Sequence, residues 1–193
     1  CGQMARYAAR FVGWYTASGF TDECGHYHHS GLRYDWEFLS VLNENEHEMV
    51  PSTQYTTCFD RWREEIAKVN PHIRLIGPEG ISSLACCDSS GQFGPLTKDR
   101  HDFIYDFLNP GNHKNGEPPA VLSFHVSVGM KGQKASMFGG FDAWFEAFAL
   151  PLQSTRDKLS PTTQLVMNEY ITEVWEWCGD GEAAATAAAG GAC

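Results

Sequence analysis

The apolar positions of the chain alternate between helical and extended patterns. Met4, Ala8, Phe11, Val12 and Tyr15 lie on one helix face at spacings of three and four, and Gly19 ends that segment. Residues 21–35 are polar, with Gly25, Gly31 and three histidines, and predict a loop. Residues 36–42 form a short apolar run that suits a buried strand, and it stops abruptly at Asn43-Glu44. Ser52 then serves as the predicted N-cap of the clearest helix. Its stripe is Tyr55, Phe59, Trp62, Ile66 and Val69, at spacings of 4, 3, 4 and 3, and Asn70-Pro71 stops it. Residues 73–77 read as a second strand, 78–96 as a Gly/Ser-rich connection, and 98–108 as a helix closed by Asn109-Pro110-Gly111. A third strand is predicted over 120–128. Phe138, Phe141, Phe145 and Phe148 carry a further helix that Pro151 should kink or end. A fourth strand spans 164–167 and runs into Asn168-Glu169.

Helices and short apolar strands therefore alternate four times, the pattern of parallel β/α units. Neither a G-x-G-x-x-G nor a G-x-x-x-x-G-K-[ST] run is present, which lowers the standing of the nucleotide-binding α/β folds. Residues 1–180 are expected to form one domain, and the Ala/Gly-rich residues 181–193 a disordered tail. A chain of 193 residues is one domain or a piece of a larger one. Its start at Cys1, without Met and without a basic-then-apolar leader, reads as a mature or truncated end.

Charge narrows the function. Fourteen Lys+Arg against 24 Asp+Glu leave a formal net charge of −10, which argues against a nucleic-acid partner. No run of about 18 apolar residues occurs, so no membrane-spanning helix is expected. The seven cysteines are odd in number and contain no C-x-x-C, which argues against a zinc ribbon or a thioredoxin-type site. They leave disulfides and the compartment open, secretion included.

Two of the predicted strands end in the same dipeptide, Asn43-Glu44 and Asn168-Glu169. In a parallel α/β sheet the C-terminal strand ends face one way, so carboxylates far apart in sequence can converge there. Paired carboxylates suit glycoside hydrolysis, one as acid/base and the other as nucleophile, about 5–5.5 Å apart in a retaining enzyme, and they need no cofactor or metal. The plainer reading is that each Glu caps a turn after its strand. A rival chemistry comes from His26-x-His28-His29 and Glu44-x-Glu46-His47-Glu48, which offer metal-ligand types at short spacing. A solvated loop is the simpler account of both.

An ordered series of segments then resembles a known family. Trp14-Tyr15, Gly19-Phe20-Thr21-Asp22-Glu23-Cys24-Gly25 and the stretch from Tyr34 through Asn43-Glu44 look like the third helix and fourth strand of a (β/α)8 glycosidase. Residues 54–71 resemble its fourth helix, 107–114 the connection into its sixth strand, Leu122-Ser123-Phe124-His125 that strand, and 165–169 its seventh. The family is glycoside hydrolase family 39, the β-xylosidase and α-L-iduronidase group. The resemblance implies a partial (β/α)8 barrel, about strands four to seven, acting on a carbohydrate substrate. It implies Glu44 as general acid/base, Glu169 as nucleophile, Asn43 on the sugar 2-hydroxyl and His125 lining the pocket. Trp36, Trp175 and Trp177 are further candidates for stacking on sugar rings. Where the family usually carries a tyrosine two residues after the histidine, this chain has Ser127. A complete barrel needs about 250 residues, so a fragment is expected, either catalytic or a carbohydrate-binding remnant.

Overall fold

The structure is a computed structural model that describes residues 1–45, 50–80, 98–127 and 145–171. Helix α1 spans Gly2–Thr16 and leads into a hairpin of β1 (Gly19–Thr21) and β2 (Tyr27–His29). Three β/α units follow: β3 (Phe38–Ser40) and α2 (Ser52–Ala67), β4 (Arg74–Pro78) and α3 (Lys98–Leu108), β5 (Val121–Ser127) and α4 (Leu150–Leu159). Strand β6 (Gln164–Ile171) completes the order. The four-stranded sheet runs β3-β4-β5-β6 with every pairing parallel, as right-handed crossovers between sequential strands require. Neighbouring helices touch in the same order, α1 on α2, α2 on α3 and α3 on α4, so the helices form one layer beside the sheet. This is a sector of a β/α barrel, the fold class the alternating pattern predicts.

The core lies between sheet and helices because each strand turns every second residue that way. Leu39, Leu75, Leu122, Phe124 and Leu165 meet Tyr55, Phe59, Ile66, Phe103, Phe107 and Phe148. The aromatic rings dominate. Phe107 packs edge-on against Phe59 with centroids 5.0 Å apart and against Tyr55 at 5.1 Å. Each such ring, fully withdrawn from water, contributes about 1.5–3 kcal/mol. A disulfide joins Cys1, at the head of α1, to Cys58 in the middle of α2. Closing a loop of this length stabilises by about 4 kcal/mol on the chain-entropy account.

Several local expectations change. The expected loop over 21–35 carries the turn and second strand of the β1–β2 hairpin, whose strands are too short and polar to show a period. Ser52 does not cap α2: Pro51 holds that position, and the Ser52 hydroxyl donates instead to Asp106 of α3 at 2.6 Å. The Phe-rich helix changes character just before Pro151. A π-helical turn over Phe145–Ala149 runs into α4, and Pro151 occupies its first turn, where a missing N–H costs nothing. Phe138, Phe141, Trp175, Trp177 and the 181–193 tail lie outside the described residues.

Candidate active site

The C-terminal ends of the strands gather three of the expected residues. Glu44 follows β3, His125 lies on β5 and Glu169 on β6. His125 Nδ1 is 2.8 Å from Glu44 Oε1 and 3.6 Å from Glu169 Oε2. One ligand-capable atom from each of the three lies within 4.8 Å of the others. The imidazole is 6% exposed, while the carboxylates are 35% and 43% exposed. A buried ring thus stands between two acids that face solvent, at the barrel face where substrates of this fold class enter.

Local backbone features aim each group. On β5, Leu122 and Phe124 turn toward the helices, so Ser123 and His125 turn toward the opposite face. Strand β6 runs in step with β5 through Phe124↔Met167, then shifts so that His125 pairs with Glu169. Asn168 is the extra residue. Paired residues share a face, so without this bulge Asn168 would stand beside His125 and Glu169 would turn away. At β3 the chain leaves the sheet through left-handed backbone at Leu42 and Glu44, with φ of 63° and 50°. Val41 continues the ladder to Ile76 O at 2.9 Å, and the Tyr55 hydroxyl donates to Val41 O at 2.8 Å. The Glu44 amide donates to Glu79 O at 2.6 Å.

Asn43 is exposed and immediately precedes Glu44. Trp36 is elsewhere. It precedes the N-terminal end of β3 and stacks on Tyr15 of α1, with centroids 5.4 Å apart and planes 23° apart. Its surroundings are those of a packing residue between α1 and the sheet. The side chain of Ser127 lies outside the described residues. Glu79, buried directly after β4, was not singled out by sequence reasoning. The argument that selects Glu44 and Glu169, a carboxylate at the end of an apolar strand, applies equally to Ile76-Gly77-Pro78-Glu79 and would have found it.

The histidine-rich hairpin is organised around Asp22. Its carboxylate accepts the Cys24 and His26 amides, each at 2.9 Å, and meets His28 Nε2 at 2.8 Å. The bond from the His28 ring, followed by that from the His26 amide, holds the Asp22 carboxyl below its ordinary value. Among the described residues, the set with three convergent metal-ligand types is Glu44, His125 and Glu169, not the hairpin. Glu46, His47 and Glu48 lie outside the described residues.

Fold and strand-end cluster together define a β/α-barrel sector carrying an acid–imidazole–acid site at its C-terminal face. No family model matches the chain, and no curated protein matches it by sequence. By structure it is similar to a glycoside hydrolase family 44 endoglucanase from Clostridium thermocellum, with TM-score 0.55 and 15% identity over 90% of this chain and 40% of that one. A family 44 endoglucanase from Clostridium acetobutylium gives TM-score 0.50 and 15% identity over 89% of this chain and 40% of that one. The likeness establishes the barrel fold, and neither neighbour is a family 39 protein. The chain spans about 40% of the length of each.

Proposed function

We propose that this chain carries the catalytic pair of a retaining glycoside hydrolase. The observation that supports it is the convergence of Glu44 and Glu169 on His125, with carboxylate oxygens within 4.8 Å. Oxygens that close suit the carboxyl separation of a retaining enzyme, about 5–5.5 Å, better than the about 6.5–9.5 Å of an inverting one. Glu169 attacks the anomeric carbon while Glu44 protonates the departing oxygen, and a glycosyl ester forms on Glu169. Glu44 then takes a proton from water, which displaces Glu169 and restores both groups. Asn43 holds the sugar 2-hydroxyl. His125 Nδ1, 2.8 Å from Glu44 Oε1, holds that carboxyl group in place.

A β-xyloside-like substrate is the finer reading, resting on the family 39 resemblance of the segments around Glu44 and Glu169. The names of the structural neighbours, endoglucanases, add glucans to the substrates that need testing. A second reading, a carbohydrate-binding domain without turnover, is favoured by Ser127, which stands where the resembling segments of family 39 carry a tyrosine. Nitrophenyl glycosides and glucans, assayed on the longest natural polypeptide carrying this sequence, separate the two. Glu44→Ala should lower kcat/KM on glycosides with poor leaving groups about 10²–10⁴-fold and spare it on good ones, whose first step needs little protonation. Glu169→Ala should abolish the glycosyl-enzyme, and added azide should then yield the product of inverted configuration. Ordinary turnover of a poor leaving group by both variants would exclude the assignment. Sugar binding without turnover in the unaltered protein would establish the second reading.

A further inference from the structure

Glu79 is 8% exposed, follows β4, and is bonded on three sides. Its carboxylate accepts the Ser40 hydroxyl of β3. Its amide donates to Ser123 Oγ of β5 at 3.1 Å, and its carbonyl receives the Glu44 amide at 2.6 Å. Glu79 and Glu44 both occupy left-handed backbone, with φ of 51° and 50°. A glutamate finds no local reward there, unlike glycine or asparagine, so the conformation is held by its bonds. If the turn alone mattered, glycine would serve without strain. What glycine lacks is the carboxylate that Ser40 grips, which fixes the direction of the carbonyl on which the Glu44 amide hangs.

We propose that Glu79 is a positioning residue that holds Glu44 against His125, acting through its backbone carbonyl and anchored by Ser40. The assignment rests on the acid/base reading of Glu44. Rotation at Glu79 would swing the carbonyl, release the Glu44 amide and open the 2.8 Å contact between Glu44 Oε1 and His125 Nδ1. Misplacement by about an ångström costs up to about 100-fold in rate.

Three variants test this. Glu79→Gly keeps the left-handed turn and removes the grip, Ser40→Ala removes the donor, and Glu79→Gln keeps an acceptor for Ser40. Glu79→Gly and Ser40→Ala should lower kcat/KM on a poor leaving group about 10–100-fold and leave that on a good leaving group within about 3-fold. Glu79→Gln should stay near the unaltered enzyme. In a Glu44→Ala background Glu79→Gly should add nothing, because the residue it positions is gone. Crystal structures should show the Glu44–His125 contact open in Glu79→Gly and closed in Glu79→Gln. Equal losses on both leaving groups, or a full multiplicative effect on top of Glu44→Ala, would overturn the proposal. If Glu44→Ala has no effect by itself, the acid/base reading has failed. The crystal structures then decide the positioning role alone, and an unmoved Glu44 in Glu79→Gly overturns it.

Discussion

A single hydroxyl joins the helix layer to the site. Tyr55 is 1% exposed, and its bond to Val41 O fixes the chain three residues before Glu44. Gly77 on β4 makes room for it, since a Cβ there would overlap the Tyr55 hydroxyl and stand 3.2 Å from Phe59 Cε2. Gly77→Ala should therefore destabilise by about 2–3 kcal/mol, measured by urea unfolding. Tyr55→Phe alone should cost about 1 kcal/mol, the worth of one hydrogen bond. The double variant should cost clearly less than the two together, because the phenylalanine removes the clashing atom. Strict additivity would show that Gly77 matters for another reason. At this scale the sequence reveals where Glu44 and Glu169 leave their strands, because an apolar run visibly stops there. It does not reveal the bulge at Asn168, since register belongs to a pair of strands and not to either one. Nor does it reveal that Trp36 is stacked under α1, because an aromatic beside a strand reads alike as core or as rim.

Among the elements, the periodic ones were legible and the aperiodic ones were not. The stripe from Tyr55 to Ile66 predicts α2, and the apolar runs predict β3 to β6 within a few residues, because burial on one face or on both leaves a period in the sequence. The β1–β2 hairpin has no such period. It is ordered by polar bonds to Asp22. That origin makes it sensitive to acid. The Asp22 carboxyl is held below its ordinary value of 3.8, so its contribution is complete above that pH and is lost as pH falls through the depressed value. The amide signals of Cys24 and His26 should follow this titration in NMR spectra, with a midpoint below 3.8. Asp22→Asn should abolish it. A midpoint at or above the ordinary value would show that the bonds do not persist in solution. The capping role of Ser52 was misread for a related reason: a cap residue acts according to the neighbouring element it meets, here Asp106 of α3.

Across the whole molecule, the four-stranded sheet curls without closing among the described residues, so β3 and β6 each have one strand neighbour. Phe38 on β3 and Met167 on β6 are 36% and 46% exposed, and α1 presents Met4, Tyr7 and Phe11 to solvent. Open edges flanked by apolar surface favour association, while a net charge of −10 opposes it. The outcome should depend on salt. Sedimentation should show association growing with concentration and strengthening as added salt shortens the screening length to about 10 Å at 0.1 M. Phe38→Lys should suppress it. A chain that stays monomeric at high salt and high concentration would refute this. The same curl has a consequence for the site. Glu44 follows β3 and Glu169 lies on β6, the two outermost strands, whose backbones in a flat sheet would stand about 14 Å apart across three strand spacings. Their oxygens nonetheless lie within 4.8 Å. The gap between the acids is therefore set jointly by the curl of the sheet, the turn after β3 and the reach of the two side chains. Flattening would part them before any helix or strand was lost, so the meeting of Glu44 and Glu169 would be undone while the secondary structure stood intact.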